Sequence, residues 1–170
     1  MRFVVPLLAL AALCSACISP TPYQPLTGAY GVGISAEDGD MVTILSKGNA
    51  ATTRLTVTDY AMRKAAEVAT ERGKLYFVVL GYADITRIES DYVPGQSREV
   101  TTKSGHKYTT YDAAYYVETA FPGIRARVVL LDEPKFDFLP GLETLDIFKA
   151  SDVLASASAQ DAAKTQGDAS

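Results

Sequence analysis

The chain has no tryptophan, a single histidine and two cysteines, Cys14 and Cys17. Each scarcity closes a class of function. With one imidazole and so few thiols, a zinc site would have to rely largely on carboxylates, a poor ligand set for that ion. No metal and no other cofactor is expected. A basic excess is missing as well: 16 Lys and Arg stand against 20 Asp and Glu, with a pI near 5.0. That balance offers no basic footprint for nucleic acid or for anionic lipid headgroups. Beyond the first residues, no apolar stretch approaches the roughly 20 residues that a membrane span needs.

What is present is concentrated at the start. Arg2 precedes an apolar run from Phe3 to Leu13. At roughly 11 residues the run is too short to cross a bilayer, and a short apolar run behind a basic start has the layout of an export signal. Pro6 within it also argues against a permanent membrane helix. The run leads into Leu13-Cys14-Ser15-Ala16-Cys17. That order resembles the lipobox of bacterial lipoproteins, with Cys14 standing where Leu or Val is usual. A thiolate is the side chain best able to attack a lipid donor, which is why a cysteine is required there. Once residues 1–16 are removed, Cys17 has no second cysteine with which to form an internal disulfide. The resemblance implies an acylated Cys17 carrying three chains. Each buried methylene contributes about 0.8 kcal/mol, so dissociation from the bilayer would be negligible. Ile18 follows the cysteine where Asp would signal inner-membrane retention. The resemblance thus points to the inner leaflet of the outer membrane, facing the periplasm.

The remainder of the 170-residue chain suffices for one domain. Residues 17–28, with Pro20, Pro22 and Pro25, read as an extended, lipidated tether. Tyr30 to Ala36 and Met41 to Lys47 are short apolar or alternating runs around Glu37-Asp38-Gly39-Asp40, the layout of a β-hairpin. A helix is expected from Thr56 or Thr58, as cap, to about Arg72, with Gly73 as its stop. Its apolar face would be Tyr60, Ala61, Ala65, Val68 and Ala69, and Arg63 could pair with Asp59 and Glu67. Leu75 to Tyr82 reads as a central strand covered on both faces. Asp84 to Tyr108, polar and carrying Pro94, Gly95 and Gly105, reads as a long loop. Tyr111 to Phe121 and Ile124 to Leu131 read as strands joined through Pro122-Gly123, and Asp132 to Leu142 as a loop. A short helix from Ser151 would cover Val153 and Leu154, and residues 156–170 read as a disordered tail. The expectation is an α+β domain over residues 29–155, ordered β-β-α-β-β-β-α, with a small, mainly antiparallel sheet and one principal helix on a face.

Three stretches carry a second resemblance: Thr21-Pro22-Tyr23-Gln24-Pro25; Gly48-Asn49-Ala50-Ala51-Thr52-Thr53; and Val57-Thr58-Asp59-Tyr60-Ala61, continuing through Ala65-Ala66-Glu67 to Gly73 and Tyr76-Phe77. Together they resemble an uncharacterised family of proteobacterial envelope lipoproteins, over roughly residues 17 to 82. Phe148 to Leu154 resembles the closing segment of that family. The resemblance implies an envelope lipoprotein and implies no activity.

A search for chemistry returns little. His106 lies in Lys103-Ser104-Gly105-His106-Lys107, a basic loop sequence with no nucleophile or orienting acid marked beside it. Gly28-Ala29-Tyr30-Gly31-Val32-Gly33 opens a strand, whereas phosphate cradles open helices. Asp84, Glu89, Asp91, Asp132 and Glu133 have no apolar surroundings to tune them as paired acids. The tyrosines are the most suggestive remainder: Tyr108, Tyr111, Tyr115 and Tyr116 crowd one segment, and Tyr offers rigid area with a polar tip at recognition surfaces. The reading reached is a non-enzymatic lipoprotein of envelope structure, assembly or sensing, held to the bilayer through acylated Cys17, with an envelope protein as partner. The alternative is a small-ligand or peptidoglycan-binding module using residues 108–116.

Overall fold

The alternation in the first hairpin becomes a strand register in the computed structural model, which describes residues 19–135 and 145–167, the last three as backbone only. β1 (Gly31–Asp38) pairs antiparallel with β2 (Met41–Lys47), and Gly39 takes φ +58° in the turn between them. Along β2, Val42, Ile44 and Ser46 are buried and the residues between them are not. One pleat face therefore meets the core and the other stays open.

α1 (Arg54–Glu71) lies across that core face. Its cap is Thr53, three and five residues before the two threonines expected from the sequence: extended Thr53 accepts the Thr56 amide at 3.1 Å. Thr58 is already inside the helix, its hydroxyl donating to the Arg54 carbonyl. At the other end Gly73, at φ +70°, donates to the Thr70 carbonyl and Lys74 to that of Ala69. These are the two bonds of a Schellman stop, which favours glycine at the left-handed position. Val57, Ala61, Ala65, Ala66, Val68 and Ala69 are buried, so a mostly methyl-sized face brings the helix close to the sheet. Tyr60 sits half-buried at its edge. Arg63 turns to Glu67 and Asp161.

The chain then runs through β3 (Tyr76–Asp84), β4 (Arg87–Val93), β5 (Ser97–Thr101), β6 (Lys107–Tyr111), β7 (Tyr115–Phe121), β8 (Gly123–Leu131) and β9 (Ile147–Lys149) into α2 (Ala150–Gly167). The main sheet has the order β1-β2-β8-β3-β9, antiparallel throughout. The α+β class and the principal helix on one face are as expected. β8 is its centre, with Ile124, Ala126, Val128 and Leu130 buried against α1. β3 is covered on both faces only over Phe77–Val79 and is exposed from Gly81 onward.

Three expectations are corrected. Residues 84–108 do not form a loop: they hold β4, β5 and the start of β6, because β4 pairs with β7 and β5 with β6. The segment expected to be a disordered tail continues α2 as far as Gly167; alanines favour helix there, and Asp161 pairs with Arg63 of α1 at 2.6 Å. The tether is docked from Ser19 onward, with Thr21 only 5% exposed. Residues 1–18, Cys17 among them, lie outside the described residues, as do 136–142 of the expected 132–142 loop.

Candidate recognition arm and its root

The root is built on a turn that reverses the chain between β2 and α1. Asn49 organises it with a single carboxamide: Nδ2 donates to the Ser19 carbonyl (2.7 Å), while Oδ1 accepts from the Ala51 amide (3.2 Å) and the Thr52 hydroxyl (2.8 Å). Thr52 Oγ1 accepts the Thr21 amide, and the Asn49 amide donates to Thr21 Oγ1, both at 2.9 Å. Tyr60 adds a bond from its hydroxyl to the Thr21 carbonyl (3.0 Å). A side chain at Gly48 would collide with that of Thr52. The three stretches read together in the sequence, around Thr21, Asn49 and Tyr60, thus meet at one place.

Tyr23 continues the docked segment. It packs edge-on to Tyr60 at 5.3 Å, beneath the Arg63 guanidinium at 3.9 Å. Burial, and then the neighbouring Glu67 carboxylate, push its phenol well above the usual range, and its hydroxyl has no partner at hydrogen-bond distance among the described residues. Further on, Gly31 at φ +110° lets the chain cross itself: a Cβ there would fall 2.5 Å from the Pro25 carbonyl oxygen. Gly31 therefore serves a backbone crossing at a strand entry.

The Gly48 amide donates to the Pro122 carbonyl at 2.8 Å, at the single residue separating β7 from β8. Here the arm begins. From Gly81↔Arg127 through Asp84↔Ile124, Arg87↔Phe121, Val93↔Tyr115 and Ser97↔Tyr111 to Thr101↔Lys107, the pairing advances one residue for one residue. No residue is gained or lost on either side. β4–β7 and β5–β6 are therefore successive lengths of one hairpin, whose first length, β3–β8, lies in the main sheet. β7 and β8 run on in one direction and do not form a hairpin with each other. Fifteen residues a side, Arg87 to Thr101, give a contour of about 50 Å.

All four tyrosines singled out from the sequence lie on this arm, Tyr108 and Tyr111 on β6 and Tyr115 and Tyr116 on β7. Tyr111 is 80% and Tyr116 68% exposed. Adjacent Tyr115 and Tyr116 project to opposite faces, so the four do not converge on one pocket. A fifth, Tyr92, was not foreseen: it stands opposite Tyr116, ring centroids 5.4 Å apart. Only the strand register brings these two together. Ile88 and Val117 are exposed on the same arm.

The remaining candidates are accounted for separately. His106 is in the tip turn, its amide bonded to Thr102 Oγ1 at 3.1 Å. Asp84 is held below the usual carboxylate range by hydrogen bonds from Thr86 and by the Arg54 charge. Glu89 pairs with Arg87, and Asp132 with Lys74. Among the described residues no group of three His, Cys, Asp or Glu side chains is placed to hold a metal ion, and no helix is long and apolar enough to cross a membrane. Comparison of the chain with protein-family models, with curated proteins and with solved structures finds no match in any of the three.

Proposed function

We propose that this chain is a lipid-anchored envelope protein, exported through residues 1–16, acylated on Cys17 and held at the outer membrane facing the periplasm. It acts without catalysis by presenting the β-arm to an envelope protein partner. One observation carries this reading: the docked N-terminal segment and the arm share a root. Ser19 is held by Asn49, next to the Gly48 that bonds Pro122. Only Ile18 lies between Cys17 and Ser19, a span of two residue steps or about 7 Å at most. An acyl anchor on that cysteine would hold the arm root close to the bilayer. The arm also has the composition of a recognition surface, with exposed Tyr among polar residues and, among the described residues, an outer edge on each strand without a partner strand. The alternative of a small-ligand or peptidoglycan module at residues 108–116 has less support, because its tyrosines are spread along both faces of a ribbon.

Two measurements test the parts separately. Cells fed a fatty-acid probe should label the wild type and leave Cys17→Ala unlabelled; equal labelling of the two, or none, defeats the anchor. A photo-crosslinking residue at position 111 or 116 should capture a discrete envelope partner that the same residue at position 71, on α1, does not. Identical adducts from all three positions would defeat the arm.

A further inference from the structure

The sheet face turned away from α1 carries a cavity of about 360 Å³ at the arm root, lined by Tyr30, Lys47, Arg87, Phe121 and Arg125 among others. Strand register explains why cations gather there. Leu45 pairs with Arg125 and Lys47 with Gly123, so Lys47 and Arg125 are diagonal neighbours on one pleat face, with backbones about 7–8 Å apart in such positions and side chains within reach of each other. Arg87 opens β4 opposite Phe121 and lays its guanidinium 4.4 Å from the centre of that ring, which stacks with Tyr30 at 6.4 Å. Arg127, two residues beyond Arg125, adds positive charge to the same face outside the cavity. Among the described residues the carboxylate that answers this charge is Glu89, paired with Arg87. The side chains of Lys47 and Arg125 have no ion-pair or hydrogen-bond partner among the described residues. In a chain of net charge −4, this is a locally positive, concave site with free donors.

We propose that the cavity binds a phosphate group presented by an anionic lipid headgroup. A phosphate offers acceptor oxygens to the fork of Arg125 and to the Lys47 ammonium at once, and charge-assisted bonds of this kind are the strong ones. The Tyr30–Phe121 wall supplies apolar contact for the carbon atoms next to the phosphate. Location selects the lipid as the source: Lys47 precedes Gly48 and Asn49, the residues that hold Pro122 and Ser19 at the root. This choice rests on the anchored reading above.

The test titrates full-length protein in a neutral detergent with dihexanoyl-phosphatidylglycerol, and separately with inorganic phosphate, followed by phosphorus NMR. Saturable binding of the lipid is expected, weakened about tenfold or more by Lys47→Ala and by Arg125→Ala. Arg127→Ala, which removes the same charge from the same face but outside the cavity, should leave it within about twofold. Equal weakening by all three variants would reduce the effect to bulk charge and overturn the site. Binding of inorganic phosphate without the lipid would overturn the headgroup as source, and binding of neither would overturn the proposal outright. Acylation does not enter this measurement. Failure of the Cys17 label with headgroup binding intact would sink the anchor alone, and the converse would sink this inference alone.

Discussion

The hairpin that begins at β3 and returns through β8 passes through two environments, and its pairing slips by one residue only at the bulge between Val79 and Gly81 where they meet. In the sheet, Phe77 and Val79 on one side and Val128 and Leu130 on the other are buried under α1. Beyond Gly81 the same two strands continue in step, and almost every side chain is exposed. The backbone ladder is common to both lengths, so it cannot be what distinguishes them. The difference is burial: about 25 cal/mol is gained per Å² of apolar surface removed from water, and the arm removes little. A two-stranded ribbon without a covered face is marginal by itself. What the arm has is an inherited register, set by the sheet it grows from, and cross-strand pairs such as Tyr92 with Tyr116.

The comparison is broken most sharply by matched truncations. Phe77 is fully buried and stacks on Phe148 at 5.5 Å, so Phe77→Ala should cost about 3–5 kcal/mol in urea unfolding. Tyr111→Ala, on the arm, should stay within about 0.5 kcal/mol of the wild type. Similar losses from the two would mean that the arm is packed against something in solution. A middle effect is expected where the lengths join. Asn49→Ala strips the Ser19 carbonyl and the Thr52 hydroxyl of their partner and should cost about 1–3 kcal/mol. Hydrogen exchange should then show the Thr21 amide opening while β8 amides stay protected. Unchanged protection at Thr21 would show that the docked segment is held by other contacts.

The smallest effect concerns acid. The folded-state pKa of Asp84 is depressed, by its bonds from Thr86 and then by Arg54, so its contribution to stability is present above the ordinary carboxylate pKa. That contribution is lost as pH falls through the depressed value. Melting curves of Asp84→Asn and wild type should therefore differ slightly near neutral pH and converge in acid. A gap that widens in acid would reverse the sign and contradict the pairing.

Several elements were legible from the chain alone because the information is local. Glu37-Asp38-Gly39-Asp40 between alternating runs marks a hairpin, and Gly73 marks a helix stop. Thr53 as cap was missed because Thr56 and Thr58 offer the same hydroxyl within the next turn and a half. β4 and β5 were missed for a deeper reason: Arg87-Ile88-Glu89-Ser90-Asp91 has no apolar alternation, since it has no core to face. Only the strand opposite makes it a strand. The late part of α2 shows almost no amphipathic pattern, and there Asp161 pairs with Arg63 of α1. At the candidate site, Tyr108, Tyr111, Tyr115 and Tyr116 were visible as a cluster in sequence. Tyr92, and the meeting of Lys47 with Arg125, were not, because both depend on register between distant segments.

Local chemistry in the sequence thus determined the class of the domain, its principal helix and first hairpin, and the export-like start that motivates an anchor at Cys17. Tertiary structure alone decided that residues 84–108 extend a strand, that Thr21 docks on Asn49 and Thr52, and that the arm springs from this junction. The physical reason is range. Caps, turns and apolar periodicity act within a few residues, whereas a ladder, a docked segment and a shared root come into being only when distant parts of the chain are paired.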